Sequence, residues 1–75
     1  MPFIEMSGKT LLRLVTEGGP RPDELAEVGV TQKSIVRVNQ QGDIEIRRPD
    51  RWDVIGGLLG DFEERVKRET GLDWA

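Results

Sequence analysis

The sequence predicts an α+β fold in which an antiparallel β-hairpin packs against a long amphipathic C-terminal helix. Apolar and polar residues alternate in two runs within residues 34–48, and a Gly-Asp turn separates the runs. Over residues 51–70, apolar residues recur every three or four positions. Alternation is typical of a sheet covered on one side, and the second spacing is typical of a helix with one buried face. At 75 residues, the chain is expected to form one small domain over positions 1–75.

The first element is predicted to be a short strand at residues 3–6, which would extend the hairpin to three strands. Residues 7–10 follow as a turn, and the next apolar run is compatible with either a strand or a helix. We favour the helix because Leu11, Leu14 and Val15 share one face at helical spacing.

Residues 16–23 are predicted to form a loop, because a Gly-Gly pair and two prolines interrupt regular structure. A short helix is predicted over residues 23–29. Asp23 is suited to capping its first turn, and Gly29 is typical of the position that follows a helix.

The hairpin is expected to bury one side of both strands, formed by Val36, Val38, Ile44 and Ile46. Arg37 and Glu45 point to the opposite side, where they are expected to form a cross-strand ion pair. The turn is predicted within residues 39–43, with Gly42 in the left-handed backbone conformation.

The C-terminal helix is predicted over residues 51–70, with Asp50 as its N-cap. Its apolar stripe is expected to cover the hairpin and consists of Trp52, Ile55, Leu58, Leu59, Phe62 and Val66. On the opposite side, acidic residues precede basic ones by four positions, which is the favoured order for ion pairs on a helix surface. These pairs are Asp61/Arg65, Glu63/Lys67 and Glu64/Arg68.

The composition excludes several classes of chemistry. The chain has no Cys and no His, so it has no thiol or imidazole nucleophile and no ligands for a structural zinc. We therefore expect no enzyme activity, cofactor, metal or small-molecule substrate. The formal net charge of −3 disfavours nucleic acid as a partner. No long apolar run or signal-peptide pattern is present, so we expect a cytoplasmic protein without a membrane partner.

Two short motifs suggest specific functions. Gly8-Lys9-Thr10 matches the end of a phosphate-binding P-loop, but the position that requires the first glycine of that motif holds Phe3. The favoured interpretation is a turn or helix start. Residues 25–35 contain the residue types of a helix-turn-helix, yet the alternation that begins at Ile35 favours a strand where the recognition helix would lie.

The order of a helix, Gly29-Val30 and a hairpin is similar to that of swapped-hairpin transcriptional regulators and antitoxins. The resemblance covers residues 24–48 and lacks the Gly-x-x-x-x-Pro element expected before the helix. It implies a dimer of interleaved hairpins, with DNA or a toxin protein as the partner.

Arg47, Arg48 and Arg51 form the one basic cluster in the sequence and are candidates for contact with phosphates or with carboxylates of a partner. Arg48 and Arg51 are the better candidates, because Arg47 belongs to the strand and can be held beside Glu45. The alternative is a solvated strand end whose arginines pair with neighbouring aspartates.

Gly56, Gly60 and Trp74 are further candidates for partner contact. Glycines within a helix lower its stability, so the pair suggests close packing, either on the hairpin of the same chain or on a partner. A third option is that Gly56-Gly57 interrupts the helix and residues 58–70 form its regular part. Leu72 and Trp74 either fold back on the core or form an exposed binding tail.

The leading functional prediction is a non-catalytic small binding module that acts through protein–protein contacts, with a homodimer as one option. The alternative is a DNA-binding transcriptional regulator or an antitoxin-like protein that uses Arg47, Arg48 and Arg51.

Overall fold

The computed structural model describes residues 3–74 and shows a four-stranded antiparallel sheet with helices. The strands are β1 (Phe3–Ser7), β2 (Ile35–Asn39), β3 (Asp43–Arg47) and β4 (Trp52–Gly57). The helices are α1 (Gly8–Leu14), α2 (Pro22–Glu27) and α3 (Phe62–Thr70), and a 3-10 turn spans Val15–Glu17. This arrangement confirms the predicted α+β class. Within the described residues, no helix is long and apolar enough to cross a bilayer.

The strands lie in the order β1-β2-β3-β4, so the predicted hairpin forms the centre of the sheet. Its register places Arg37 opposite both Glu5 and Glu45, and Val38 opposite Ile44. Gly42 has φ of +88°, as predicted for the turn. Because both hairpin strands already have neighbours from their own chain, the hairpin does not show the interleaved arrangement that the swapped-hairpin resemblance implies.

The core lies between one side of the sheet and the helices. The inward side chains of the strands and helices form one buried cluster, whose largest fully buried members are Ile4, Leu11, Leu14, Leu25, Ile44, Val36, Val38 and Val66. Helix α1 packs against α3 as well as against β1 and β2. The side chains between these inward positions along β1, β2 and β3 are exposed or half-buried, so the opposite side of the sheet faces solvent.

Helix α1 begins where β1 ends, and the Gly8-Lys9-Thr10 triplet forms its first turn. The Ser7 hydroxyl accepts a hydrogen bond from the Thr10 amide at 3.2 Å, which is N-terminal capping. The amides of Gly8 and Lys9 donate to the carbonyls of Ser34 and Gln32 at 2.8 and 3.2 Å. All three amides are therefore occupied within the chain, so the triplet is a helix start, in agreement with the favoured interpretation.

The predicted long helix over residues 51–70 is wrong in its first half. Residues 52–57 form β4, which pairs antiparallel with β3, and the helix is the nine-residue α3. Four strands are present where at most three were expected. The alternative that Gly56-Gly57 interrupts the helix is nearer to the structure, because regular helix begins only after these glycines.

The misassigned segment is explained by a turn and a bulge. Pro49 and Asp50 occupy a tight turn in which the Arg48 amide donates to the Arg51 carbonyl at 2.7 Å. Asp50 is therefore a turn residue rather than a helix cap. The β3–β4 register shifts between Ile44 and Glu45, which leaves Ile55 as the extra residue of a β-bulge. The bulge disrupts the alternation by which a strand is recognised.

The ion pairs predicted along the C-terminal helix are also wrong. Arg65, expected to pair with Asp61, is 4% exposed and donates to three backbone carbonyls: those of Leu14, Gly18 and Leu59. Arg68 pairs with Glu17 of the 3-10 turn and, at 3.3 Å, with Glu69. The hydrogen bond and the charge of Glu17 raise the pKa of Arg68. Both arginines connect α3 to distant parts of the chain.

The segment after α3 folds back on the core. Trp74 is buried, its indole N–H donates to the Val38 carbonyl at 3.1 Å, and its ring packs edge-on against Phe62. Leu72 is half exposed. Of the two alternatives considered for this segment, folding back on the core and forming an exposed binding tail, the position of Trp74 agrees with the first.

Candidate functional site

The solvent-facing side of the sheet is the most distinctive surface of the described chain. We call it the open face and define it by the outward side chains of the four strands, chiefly Glu5, Ile35, Arg37, Glu45, Arg47 and Val54. Antiparallel sheets commonly leave one side in water, and that side is then usually polar. Here it also contains apolar and aromatic side chains.

Arg37 occupies the centre of the open face. Its guanidinium carbon lies 3.7 Å from the ring centroid of Phe3 and 4.1 Å from that of Trp52. The same guanidinium pairs with Glu45 at 2.7 Å, which confirms the predicted cross-strand ion pair. Arg37 is thus held between two aromatic rings and a carboxylate, by contacts with each of the other three strands. Both rings therefore contact the guanidinium on the solvent side of the sheet.

Two aliphatic side chains on the open face are exposed. Val54 on β4 is 62% exposed and Ile35 on β2 is 46% exposed. Ile35 is two residues from Arg37 on the same strand, and Val54 lies opposite Glu45, the residue that pairs with Arg37. The open face therefore combines exposed aliphatic groups with a central stack of two aromatic rings and an arginine, and aromatic residues and arginine are enriched at protein interfaces.

A groove of about 400 Å³ lies at one corner of the open face, at the turn between β3 and β4. It brings together the three predicted arginines, and it is lined by Glu5, Arg47, Arg48, Pro49, Asp50, Arg51 and Trp52. Their proximity follows from the tight turn, because β3 and β4 run antiparallel on either side of it.

The three arginines of the groove differ in how they are engaged. Arg48 donates from two nitrogens to Asp53 at 3.0 and 3.1 Å and also to the Val28 carbonyl at 2.9 Å. It therefore anchors the turn to the segment after α2. Arg51 pairs with Asp50 at 3.1 Å, and both side chains are largely exposed. These contacts match the alternative that arginines of the strand end pair with neighbouring aspartates.

Arg47 is the arginine left available for contact, in contrast to the ranking made from the sequence. It is exposed, lies opposite Trp52 in the register and forms no ion pair within residues 3–74. Glu45, its expected neighbour, is paired with Arg37 instead. Glu5 is likewise exposed, and no other part of the described chain pairs with it.

The remaining candidates from the sequence lie away from this groove. A side chain on Gly56 would meet Pro20 at 2.7 Å, so this glycine packs closely on its own chain. Gly60 has φ of +73° and precedes α3, where only a left-handed residue fits. Trp74 is buried. Neither glycine lies in a helix, so the predicted helical setting of the pair is wrong, while contact of these glycines with a partner stays a prediction.

One further motif considered from the sequence has no structural counterpart in residues 3–74. The helix-turn-helix expected within residues 25–35 is not formed, because α2 ends at Glu27 and β2 begins at Ile35.

A second depression of about 290 Å³ beside α3 is lined mainly by acidic side chains, including Asp61, Glu63 and Glu64. No group of three potential metal ligands converges in the described part of the chain.

Sequence reasoning missed Phe3, Trp52 and Val54 as parts of a surface. Trp52 and Val54 alternate with Asp53, which is a strand signal, but the helical spacing of the same segment obscured it. Phe3 could not be assigned to a side of a sheet without the register of β1. No protein-family model matches the chain, and neither curated proteins nor solved structures give a significant match.

Proposed function

We propose that this chain is a non-catalytic binding module that contacts another polypeptide through the open face. The observation that supports this most is the pairing of exposed Ile35 and Val54 with the ordered stack of Phe3, Arg37 and Trp52. Hot spots of protein interfaces are enriched in tryptophan and arginine and are surrounded by contacts that exclude water. A cytoplasmic location stays a prediction alongside this proposal.

The energetics favour a polypeptide partner for this surface. Burying the exposed part of Ile35 and Val54 contributes roughly 1–2 kcal/mol for each side chain. Arg37 is already ordered by its aromatic and carboxylate contacts, so little further conformational entropy is lost when a partner covers it. The mixture of exposed apolar and charged side chains on the open face suits another protein surface better than a small ligand, which requires a concave and mostly apolar pocket.

A DNA-binding role, or an antitoxin-like one that relies on the same arginines, has less support. Arg48 and Arg51 are engaged by Asp53 and Asp50, which reduces their availability to phosphates. The formal net charge of −3 also opposes approach to a polyanion. Arg47 alone is a small electrostatic footprint for such a partner.

The proposal predicts that Val54→Asp weakens binding of the partner. A tagged chain isolated gently from the cells that produce it should form a complex that native mass spectrometry resolves. Placing a charge at the centre of an apolar contact should reduce the complexed fraction about ten-fold or more. Leu59→Asp is the matched control, because Leu59 is 65% exposed and lies outside the sheet.

Two results would contradict the proposal. One is a complex that persists in Val54→Asp, whether or not Leu59→Asp removes it. The other is a complex whose second component is nucleic acid, released by moderate salt and lost in Arg47→Ala, which would support the DNA-binding alternative.

A further inference from the structure

We infer that the partner of the open face is a second copy of this chain, related by a two-fold axis that crosses β2; this rests on the proposed function of that face. The open face is self-complementary in charge. Glu5 and Arg47 are exposed and line the same groove, and neither has an ion-pair partner within residues 3–74. Arg37 and Arg48, by contrast, are paired with carboxylates of their own chain.

The register places the two unpaired charges symmetrically about β2. Glu5 lies on β1 and Arg47 on β3, and β2 runs between these strands. A two-fold axis that lies between the packed faces, level with the midpoint of the line from Glu5 to Arg47 and perpendicular to that line, exchanges the two positions. Each Arg47 then meets the Glu5 of the other copy, so a single contact type occurs twice, as in any isologous interface.

The same axis accounts for an exposed apolar residue. Ile35 lies on β2 two residues from Arg37, which is opposite Glu5, and Arg47 on β3 follows Ile46, which is opposite Val36. Ile35 therefore lies close to the axis, where it packs against its own counterpart. Ile35 is 46% exposed in the single chain, and this contact would bury it.

The charge pattern of the open face favours a second copy over a partner whose charges are all of one sign. The charged outward side chains of the strands are three acidic and two basic residues, and both signs occur within β3 and across β1, β2 and β3: Glu5, Arg37, Asp43, Glu45 and Arg47. A polyanion or a polycation would meet like charges on this surface. A copy of the same pattern, turned about the axis, presents opposite charges at both unpaired positions.

The size of the open face indicates a weak dimer. Four strands about 4.8 Å apart and about five residues long cover roughly 19 by 17 Å. Such a face buries less than the approximately 800 Å² per partner of a standard interface. We therefore expect a dissociation constant in the micromolar range and a monomer at high dilution.

Sedimentation equilibrium of wild type, two charge-reversal variants, their equimolar mixture and a control variant tests this inference. We expect wild type to dimerise and the single variants Glu5→Arg and Arg47→Glu each to weaken the dimer about ten-fold, because each creates two like-charge contacts. An equimolar mixture of the two variants should recover the wild-type affinity, since both contacts in the mixed dimer again join opposite charges. Lys67→Glu on α3 is the control for a change in net charge alone.

The outcomes separate this inference from the proposed function. A wild type that stays monomeric at millimolar concentration overturns the second copy as partner, and so does a mixture that fails to recover affinity. If either charge reversal unfolds the chain, Glu5→Gln and Arg47→Gln replace them: each should weaken the dimer slightly, and an unchanged affinity in both overturns the pairing. The proposed function fails on a different result, namely a complex that survives Val54→Asp.

Discussion

Gly8→Ala should destabilise the protein by about 3 kcal/mol, although alanine is the better helix former by about 1 kcal/mol. Gly8 is the first residue of α1 and is buried. A methyl group there would overlap the carbonyl oxygen of Thr31, because the two atoms would be closer than Cβ atoms come to any neighbour in proteins. Relief requires separation of α1 from the segment before β2, which breaks the hydrogen bond from the Gly8 amide to Ser34. Urea denaturation followed by tryptophan fluorescence measures this loss.

Gly57→Ala is the matched control for this substitution. A methyl group on Gly57 would lie 3.8 Å from the nearest atom, the Gly42 carbonyl oxygen, which is an ordinary contact. We expect its free energy of unfolding to stay within roughly 1 kcal/mol of wild type. Equal effects of the two substitutions would show that the close approach at Gly8 is not present. A chain of this length has a total stability of only roughly 4–11 kcal/mol, so the difference is easily measured.

Arg65→Met should cost about 2–4 kcal/mol of stability. Arg65 is buried and serves as donor to the carbonyls of Leu14, Gly18 and Leu59. Methionine has a similar length but removes the arginine donor from all three oxygens. The Gly18 carbonyl keeps the Leu59 amide as a donor at 3.2 Å, and each oxygen left buried without a donor costs roughly 1–3 kcal/mol. Removal of a buried charge offsets part of this loss. Thermal and urea denaturation of the variant give the size of the effect.

Arg68→Met distinguishes this effect from the loss of any arginine on α3. Arg68 is exposed and pairs with Glu17 and Glu69, so its removal breaks contacts that water can replace. We expect a much smaller change than for Arg65→Met. Similar losses in both variants would contradict the structural role assigned to Arg65, the anchoring of the loop after α1 and the loop before α3.

The hairpin was predictable because its signals are local. Alternating Val36 and Val38, a turn with Gly42 and alternating Ile44 and Ile46 lie within one short stretch. Strand β4 was not predictable in the same way. Its bulge at Ile55 breaks the alternation, and its apolar spacing also fits a helix.

The candidate site was predictable only where its residues are neighbours in the sequence. Arg47, Arg48 and Arg51 are neighbours in sequence, so their grouping at one turn could be anticipated. Their engagement could not, because the carbonyl that accepts from Arg48 belongs to Val28, far away in the chain. The stack of Phe3, Arg37 and Trp52 likewise depends on three strands, and no local pattern specifies it.

The open face as contact surface is tested most directly by photo-crosslinking from two positions. A photoreactive amino acid replaces Val54 in one variant and Leu59 in another, two sites of almost equal exposure at 62% and 65%. Illumination in the producing cells, followed by mass spectrometry, identifies what each position touches. We predict a specific polypeptide adduct from position 54, with this same chain as the adduct if the two-fold dimer is correct, and none from position 59. A specific adduct from position 59 with none from position 54 would contradict the account.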